Sequence, residues 1–396
     1  MSAEKLYIKM KDKVPIAIIG GGVLGLAVAY TLLDRGLKDI VLFEKNDSFG
    51  LEQSGSNSGV IHAGFLYETG TRMAGLCVEG GRLLYEFCRA HAVPFKQTGK
   101  LMVATDKGQE KALDKYLALA VNNGLQDVTV ISGKEAKQLE PCLNVRSALH
   151  VPQSGVFDAS LFVSALSKKA AAIHDTPDLL MKACNVVGVE PGKDYFTLHV
   201  EQSRGDTPKW QLDCEILINA AGLYSWDIAK AINPCLPFEK QYLRGEYYQF
   251  NRRPDLFVDM NVYPVPVLVV LPDGGHFMDL GAHLTPKVGP DERGEPSVAK
   301  EILVGPIFIE VQNPQDYRST KNRSEFYQSI KPFLPALKED DLYRGHTGIL
   351  SLIKDQTDFI ILKDDAYPNC IHLLGMESPA LTASLAIGRY VSDMIT

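Results

Sequence analysis

The sequence predicts a mixed α/β and α+β protein in which a parallel sheet with helices is joined to a mostly antiparallel β region. Three observations predict it. The β-branched run 16-IAIIG-20 opens directly into glycines and then into 23-VLGLAVAYTLLDRG-36, a helical pattern closed by a glycine, which reads as a buried strand feeding a helix. A second strand at 40-IVLFEK-45 completes one βαβ unit. Far downstream, residues 240–312 are strand-like, rich in aromatics and prolines, and contain no long helical pattern.

The elements between follow from local pattern. Residues 71–91 read as a helix and 99-GKLMVAT-105 as a strand; 106–123 alternates charge with Leu and Ala at helical spacing, and 133-GKEAKQLEP-141 is a short helix stopped by proline. An amphipathic helix follows at 159–173. The strands 184–191, 195–202 and 209–222, with turns at PGKD and SRGDTP, form a meander appended to the first sheet. A helix at 323–331 and an irregular stretch at 332–345 lead to the strand 371-IHLLG-375 and a final helix at 378–395, with Ser378 expected at its N-cap and Pro379 at its first position.

At 396 residues the chain exceeds the length at which one core stops growing, so two domains, or one with a large insertion, are expected. Its 45% hydrophobic and 22% charged residues exclude disordered and fibrous classes. The net charge of −7 carries no like-charge block and gives no reason to expect nucleic acid. The seven cysteines are odd in number and scattered, without a Cys-x-x-Cys; they suit a reducing, intracellular setting, cytoplasmic or mitochondrial, and no zinc site. No apolar run approaches the ~20 residues of a membrane span, although peripheral membrane contact stays compatible with the sequence.

Gly20-x-Gly22-x-x-Gly25 follows a strand and opens a helix, the context in which this pattern seats a pyrophosphate on a helix N-terminus. Glu44 ends the next strand, where a carboxylate binds ribose hydroxyls. Three further regions favour FAD over NAD as the dinucleotide: the Gly/Ser loop at 54–59, the small-residue turn after 216-ILINAAG-222, and the Gly375 turn before the last helix, whose N-terminus would stabilise a reduced, anionic flavin.

The segments GGGVLG, FEK, SNSGVIHAG, GKLMVAT, SGVFDA, INAAG, RGEYY, YPVP, GAHLT and GMESPALTASLAIG, in order from residue 14 to 395, closely resemble the FAD-dependent D-amino-acid-oxidase superfamily, and within it the L-2-hydroxyglutarate dehydrogenase/oxidase group. The resemblance implies a discontinuous Rossmann-like FAD-binding domain, a βαβ unit plus β-meander, at 14–98, 150–233 and 342–396. It also implies an inserted, mostly antiparallel β substrate domain at 99–149 and 234–341. Matched motif by motif, it assigns to FAD Gly20, Gly22, Gly25, Glu44, Lys45, Ser54, Ser58, Gly59, His62, Val187, Ala221, Gly222, Gly375, Ser378, Leu381 and Thr382. The implied reaction oxidises an L-2-hydroxy acid to the 2-oxo acid, with hydride passing to the flavin and electrons onward to oxygen or a quinone-type acceptor.

That chemistry needs a base and groups that hold carboxylates. His62 and His283 lie in segments that match the group's active site and are the expected catalytic pair; Tyr247, Tyr263, Lys100 and Arg244 are expected to bind substrate, with Phe65 and Tyr67 as walls and Lys354 as a further carboxylate partner. Each has a plainer reading as well: His62 as a packed core histidine, His283 as a solvent-facing strand residue, the tyrosines as packing, Lys100 as a solvated strand end. The remaining histidines, 91, 150, 174, 199, 276, 346 and 372, are expected to be structural or on the surface. One position departs from the group: after Gly348-Ile349, where relatives carry GIRPK, this chain has Leu350 and, at the lysine position, Leu352. Leucine cannot replace the bidentate contact of arginine. A less charged 2-hydroxy acid, an amine or amino-acid substrate of the sarcosine/glycine oxidase type, and a flavin-binding protein without turnover are the competing expectations.

Overall fold

A computed structural model describes residues 13–173, 180–203, 209–270, 276–279, 281–291 and 293–395. His174 and most of the SRGDTP turn lie outside these residues.

The first sheet has eight strands. Five run parallel in the spatial order Leu180–Met181, Ile40–Phe43, Lys13–Ile19, Trp210–Asn219, Cys370–Leu374. Cys184–Pro191 and Phe196–Gln202 add the expected antiparallel meander to the first half of Trp210–Asn219, and Ile360–Lys363 closes the opposite edge. Parallel strands buried on both faces must be apolar throughout, and Ile40–Phe43 and Cys370–Leu374 are buried at every position.

The helix Val23–Asp34 is buried on nearly all sides because it lies between the sheet and the helices Ala159–Ile173 and Ala380–Asp393. Leu26, Leu32 and Ile387 are fully buried there, each worth roughly 1.5–3 kcal/mol of transfer free energy. Backbones approach closely: a Cβ on Gly388 would stand 2.6 Å from the Ala27 carbonyl oxygen. The last helix begins at Ala380 with Pro379 as its N-cap, one residue later than expected, and the Ser378 hydroxyl is not used as a cap. Its partner is His62.

The second sheet also has eight strands, in the order Tyr343–Ile353, Lys240–Asn251, Pro296–Val311, His283–Pro290, Asn261–Pro264, Lys100–Ala104, Ser147–Val151, Thr129–Ser132, with only Asn261–Pro264 and Lys100–Ala104 parallel. Tyr343–Ile353 was expected to be irregular at its start and then nucleotide-binding, yet it pairs along its length with Lys240–Asn251. Ser147–Val151 pairs with Lys100–Ala104. A small sheet of Val60–Ile61, Gly155–Phe157 and Phe95–Lys96 lies in the connections between the two.

Candidate active site

The parallel strands all end, at their C-terminal edges, on one cleft of about 640 Å³. Its first end is built by the opening strand–turn–helix. Gly20 has φ +109°, and a Cβ there would meet the Ala220 carbonyl oxygen at 2.3 Å, so the turn and the end of Trp210–Asn219 touch backbone to backbone. Gly22 is the helix N-cap, contributes no side-chain cap, and is followed by no acidic residue in the first turn. Ser54 Oγ accepts from Val23 N at 2.9 Å. The positive end of the helix dipole thus faces the cleft with no acidic residue in the helix's own first turn.

Glu44 closes this end, accepting from Gly21 N at 2.9 Å and from Asn46 N at 2.7 Å. Burial raises its carboxyl above the ordinary value, and these two hydrogen bonds only partly offset that. Lys45 Nζ pairs with Glu52 at 2.6 Å and lies 3.7 Å from the Tyr224 ring centroid.

The far end is made by the loop that carries His62. Asn57 folds it, its amide donating to the Ser54 carbonyl at 2.7 Å and its side-chain oxygen accepting from Gly59 N at 2.9 Å. Gly59, at φ +69°, leaves no room for a side chain beside the Phe157 carbonyl. The His62 backbone N–H donates to Thr382 Oγ1 at 3.1 Å, and His62 Nε2 lies 3.2 Å from Ser378 Oγ. The imidazole is therefore held between two chain segments more than 300 residues apart. Its pKa is well below the ordinary imidazole value, through burial first and then through the nearby Lys100 and His283.

The second sheet supplies the other wall, with Tyr247, Tyr263, His283, Pro306, Phe308 and Leu350. His283 stacks on Tyr263, with ring centroids 3.7 Å apart. Its Nδ1 donates to the Gly281 carbonyl at 3.1 Å, which leaves Nε2 as the acceptor of the neutral ring. Burial and Lys100 push the His283 pKa down to about 3. Both cleft histidines are unprotonated at neutral pH.

Seventeen of the residues singled out from the sequence border this cleft: Gly20, Gly22, Glu44, Lys45, Ser54, Ser58, Gly59, His62, Val187, Ala221, Gly222, Tyr247, Tyr263, His283, Ser378, Leu381 and Thr382. Four do not. Gly25 lies behind the turn, where a Cβ would come within 1.9 Å of the Gly20 carbonyl oxygen, and Gly375, at φ +60°, packs against Ile353. Lys100 is fully buried rather than a solvated strand end, its ammonium 3.6 Å from the Tyr263 ring centroid. Arg244 is committed elsewhere, to Glu246 at 3.0 Å and Asp316 at 3.1 Å, and is 2% exposed.

Burial alone would raise the Glu246 carboxyl; hydrogen bonds from the Thr320 and Lys321 backbone and from the Ser319 and Thr320 hydroxyls outweigh it and hold the group ionised. Arg244→Ala is thus expected to cost about 3 kcal/mol of stability, by leaving a buried carboxylate without its cation. Denaturant unfolding with a substrate titration checks this: a raised KM at unchanged stability would return Arg244 to the substrate.

Phe65 and Tyr67 pack outside the cleft, and Lys354 is exposed away from it. His346, expected to be structural or on the surface, is half-buried and stacks on Tyr247 at 4.5 Å. Sequence reasoning missed Glu377, a cleft carboxyl raised by burial to about 7, which nothing but its place beside Ser378 signalled.

The sequence model of the family described as FAD dependent oxidoreductase (DAO) matches residues 15–394. The chain belongs to this family. It is 32% identical to L-2-hydroxyglutarate dehydrogenase of Indibacter alkaliphilus, over 96% of this chain and 98% of that one. It is 30% identical to the mitochondrial L-2-hydroxyglutarate dehydrogenase of Arabidopsis thaliana, over 97% and 83%. Among solved structures, FAD-bound L-α-glycerophosphate oxidase of Mycoplasma pneumoniae superposes with a TM-score of 0.80 at 24% identity, covering 98% of this chain and 95% of the other; glycine oxidase of Geobacillus kaustophilus gives 0.75 at 17%, covering 97% and 94%.

This FAD-dependent oxidoreductase has a cleft that fits its cofactor. The glycine cradle at Gly20–Gly22, the helix start at Gly22 and the buried Glu44 carboxyl offer complementary groups for a pyrophosphate and a ribose at one end, while residues 58–60 and the start of the last helix line the other. Among the described residues no helix is long and apolar enough to cross a membrane, and no cluster of His, Cys, Asp and Glu is placed to hold a metal ion.

Proposed function

We propose that this oxidoreductase converts an L-2-hydroxy acid, with L-2-hydroxyglutarate the leading substrate, to the 2-oxo acid. The observation that carries the reading is the pair of unprotonated imidazoles, His62 and His283, facing one cleft at the end opposite the glycine turn. The names of the relatives supply the substrate. FAD, when bound, accepts the electron pair that leaves the substrate carbon as hydride.

The chain's own residues do the rest. In this reading the helix start at Gly22 and Ser54 hold the pyrophosphate, Glu44 the ribose, and the turns at Ala221 and Gly222, with Ser58, Gly59, Leu381 and Thr382, line the cofactor, Lys45 and Val187 flanking its nucleotide end. His62 takes the hydroxyl proton. It suits the task better than His283 because it is half-buried rather than 4% exposed, and because the Ser378 hydroxyl is at hand to pass the proton on. His283, fixed by the Gly281 carbonyl and the Tyr263 ring, orients the substrate, with Tyr247 and Tyr263 as further wall groups.

A second reading has its own observation. Lys45, paired with Glu52, is the only lysine or arginine among the described residues bordering the cleft, and Leu350, Phe308 and Pro306 make the wall near the histidines apolar. That environment favours a 2-hydroxy acid with one carboxylate and an apolar tail. Anaerobic addition of L-2-hydroxyglutarate is expected to bleach the flavin absorbance of the purified protein. Tighter coupling to L-2-hydroxybutyrate or longer monocarboxylates would favour the second reading, and bleaching only by free or N-methyl amino acids would overturn both.

A further inference from the structure

Lys100 carries an ammonium with no exposed surface and no hydrogen-bond partner among the described residues. An unpaired buried cation is costly, and a methionine would fill the same space without that cost. Its compensation comes from aromatic faces. The ammonium sits 3.6 Å from the Tyr263 ring centroid and 5.8 Å from that of Phe65, and Tyr263 in turn stacks on His283.

We propose that Lys100 is a positioning residue: its buried ammonium, seated on the Tyr263 ring against which His283 stacks, adds to burial the positive charge that keeps both cleft histidines available as proton acceptors. The inference deepens the reading that His62 is the base and rests on it for its consequence in catalysis.

The surroundings leave this charge unopposed. Asn261 and Tyr263 face Lys100 from the neighbouring strand, Cys77 from the helix Arg72–Ala90, Phe65 and His62 from the loop, and His283 from its own strand. Of these, the Cys77 thiol and the Tyr263 phenol can become anions, and burial raises both far above neutrality. Tyr67, near Cys77, Glu377 and Tyr263, is likewise raised by burial and stays neutral. Glu377, on the Ser378 side of the cleft, is raised by burial to about 7.

The pH ranges match the role. Burial lowers Lys100 to about 7, so the ammonium is charged in the acidic range where an ordinary imidazole would take up a proton. Its charge is present when it is needed.

The test uses the FAD-loaded protein with labelled histidines, following the imidazole titrations by NMR beside the pH profile of anaerobic flavin reduction. Lys100→Met is expected to raise the proton affinity of His62 and His283 about tenfold and to move the acid limb of the reduction profile up by about one pH unit. Lys100→Arg, which keeps the charge, is expected to hold both near wild type. Unmoved imidazole titrations in Lys100→Met would overturn the proposal. Imidazoles that move while the reduction profile does not would uphold it and sink His62 as the base. If the methionine variant fails to retain FAD, Lys100→Gln carries the same reading.

Discussion

His62→Ala is expected to slow anaerobic flavin reduction by about 10²–10⁴-fold while FAD remains bound. The separation of the two effects follows from how the residue is held. Its backbone N–H, not its ring, makes the bond to Thr382 Oγ1, so truncation leaves the loop tied to the last helix. What is lost is the imidazole next to Ser378 Oγ, kept unprotonated by burial and by its cationic neighbour. Stopped-flow reduction with saturating substrate measures the loss. A variant that reduces at the wild-type rate would assign the proton to another group, His283 first, and the matching His283→Ala variant would then carry the large effect.

Gly25→Ala is expected to abolish FAD retention and to cost more than about 4 kcal/mol, placing it among the few substitutions of that size. The cause is steric. A Cβ at Gly25 would stand 1.9 Å from the Gly20 carbonyl oxygen and 3.1 Å from its carbon, both backbone atoms of the turn that follows the first strand. No rotamer relieves this, so the helix must lift from the sheet and carry its N-terminus away from the cleft. Gly75→Ala is the control, since its helical position has nothing within 4 Å and gains about 0.5–1 kcal/mol from the better helix former. Thermal unfolding and bound-flavin absorbance check both, and a Gly25→Ala protein that keeps its flavin would show that the close approach is not essential.

Much of the fold was legible because its signals are local. The strand, glycine turn and helix at 16–36, the meander at 184–219 and the helices at 72–90 and 107–122 each announce themselves by period, cap or breaker within a dozen residues. The strand Tyr343–Ile353 was not legible in this way. Its GHTGILSLIKD segment carries two glycines and mixed polarity, and its strand character comes from pairing with Lys240–Asn251 about a hundred residues earlier. The surroundings of Arg244 and Lys100 were not legible for a related reason. A basic residue in a β segment looks the same whether it meets a substrate, a buried carboxylate or an aromatic ring.

The sequence by itself determined the dinucleotide turn, the alternation of parallel and antiparallel regions, and the loop and helix that meet at His62, since glycine sterics, hydrophobic period and capping act over a few residues. Only the tertiary structure decided which charges are free. It committed Arg244 to Glu246 and Asp316, buried Lys100 against Tyr263, turned Leu350 toward the cleft and buried the Glu377 carboxyl in it. Charge and burial are properties of neighbours brought together across the chain, and no local pattern records them.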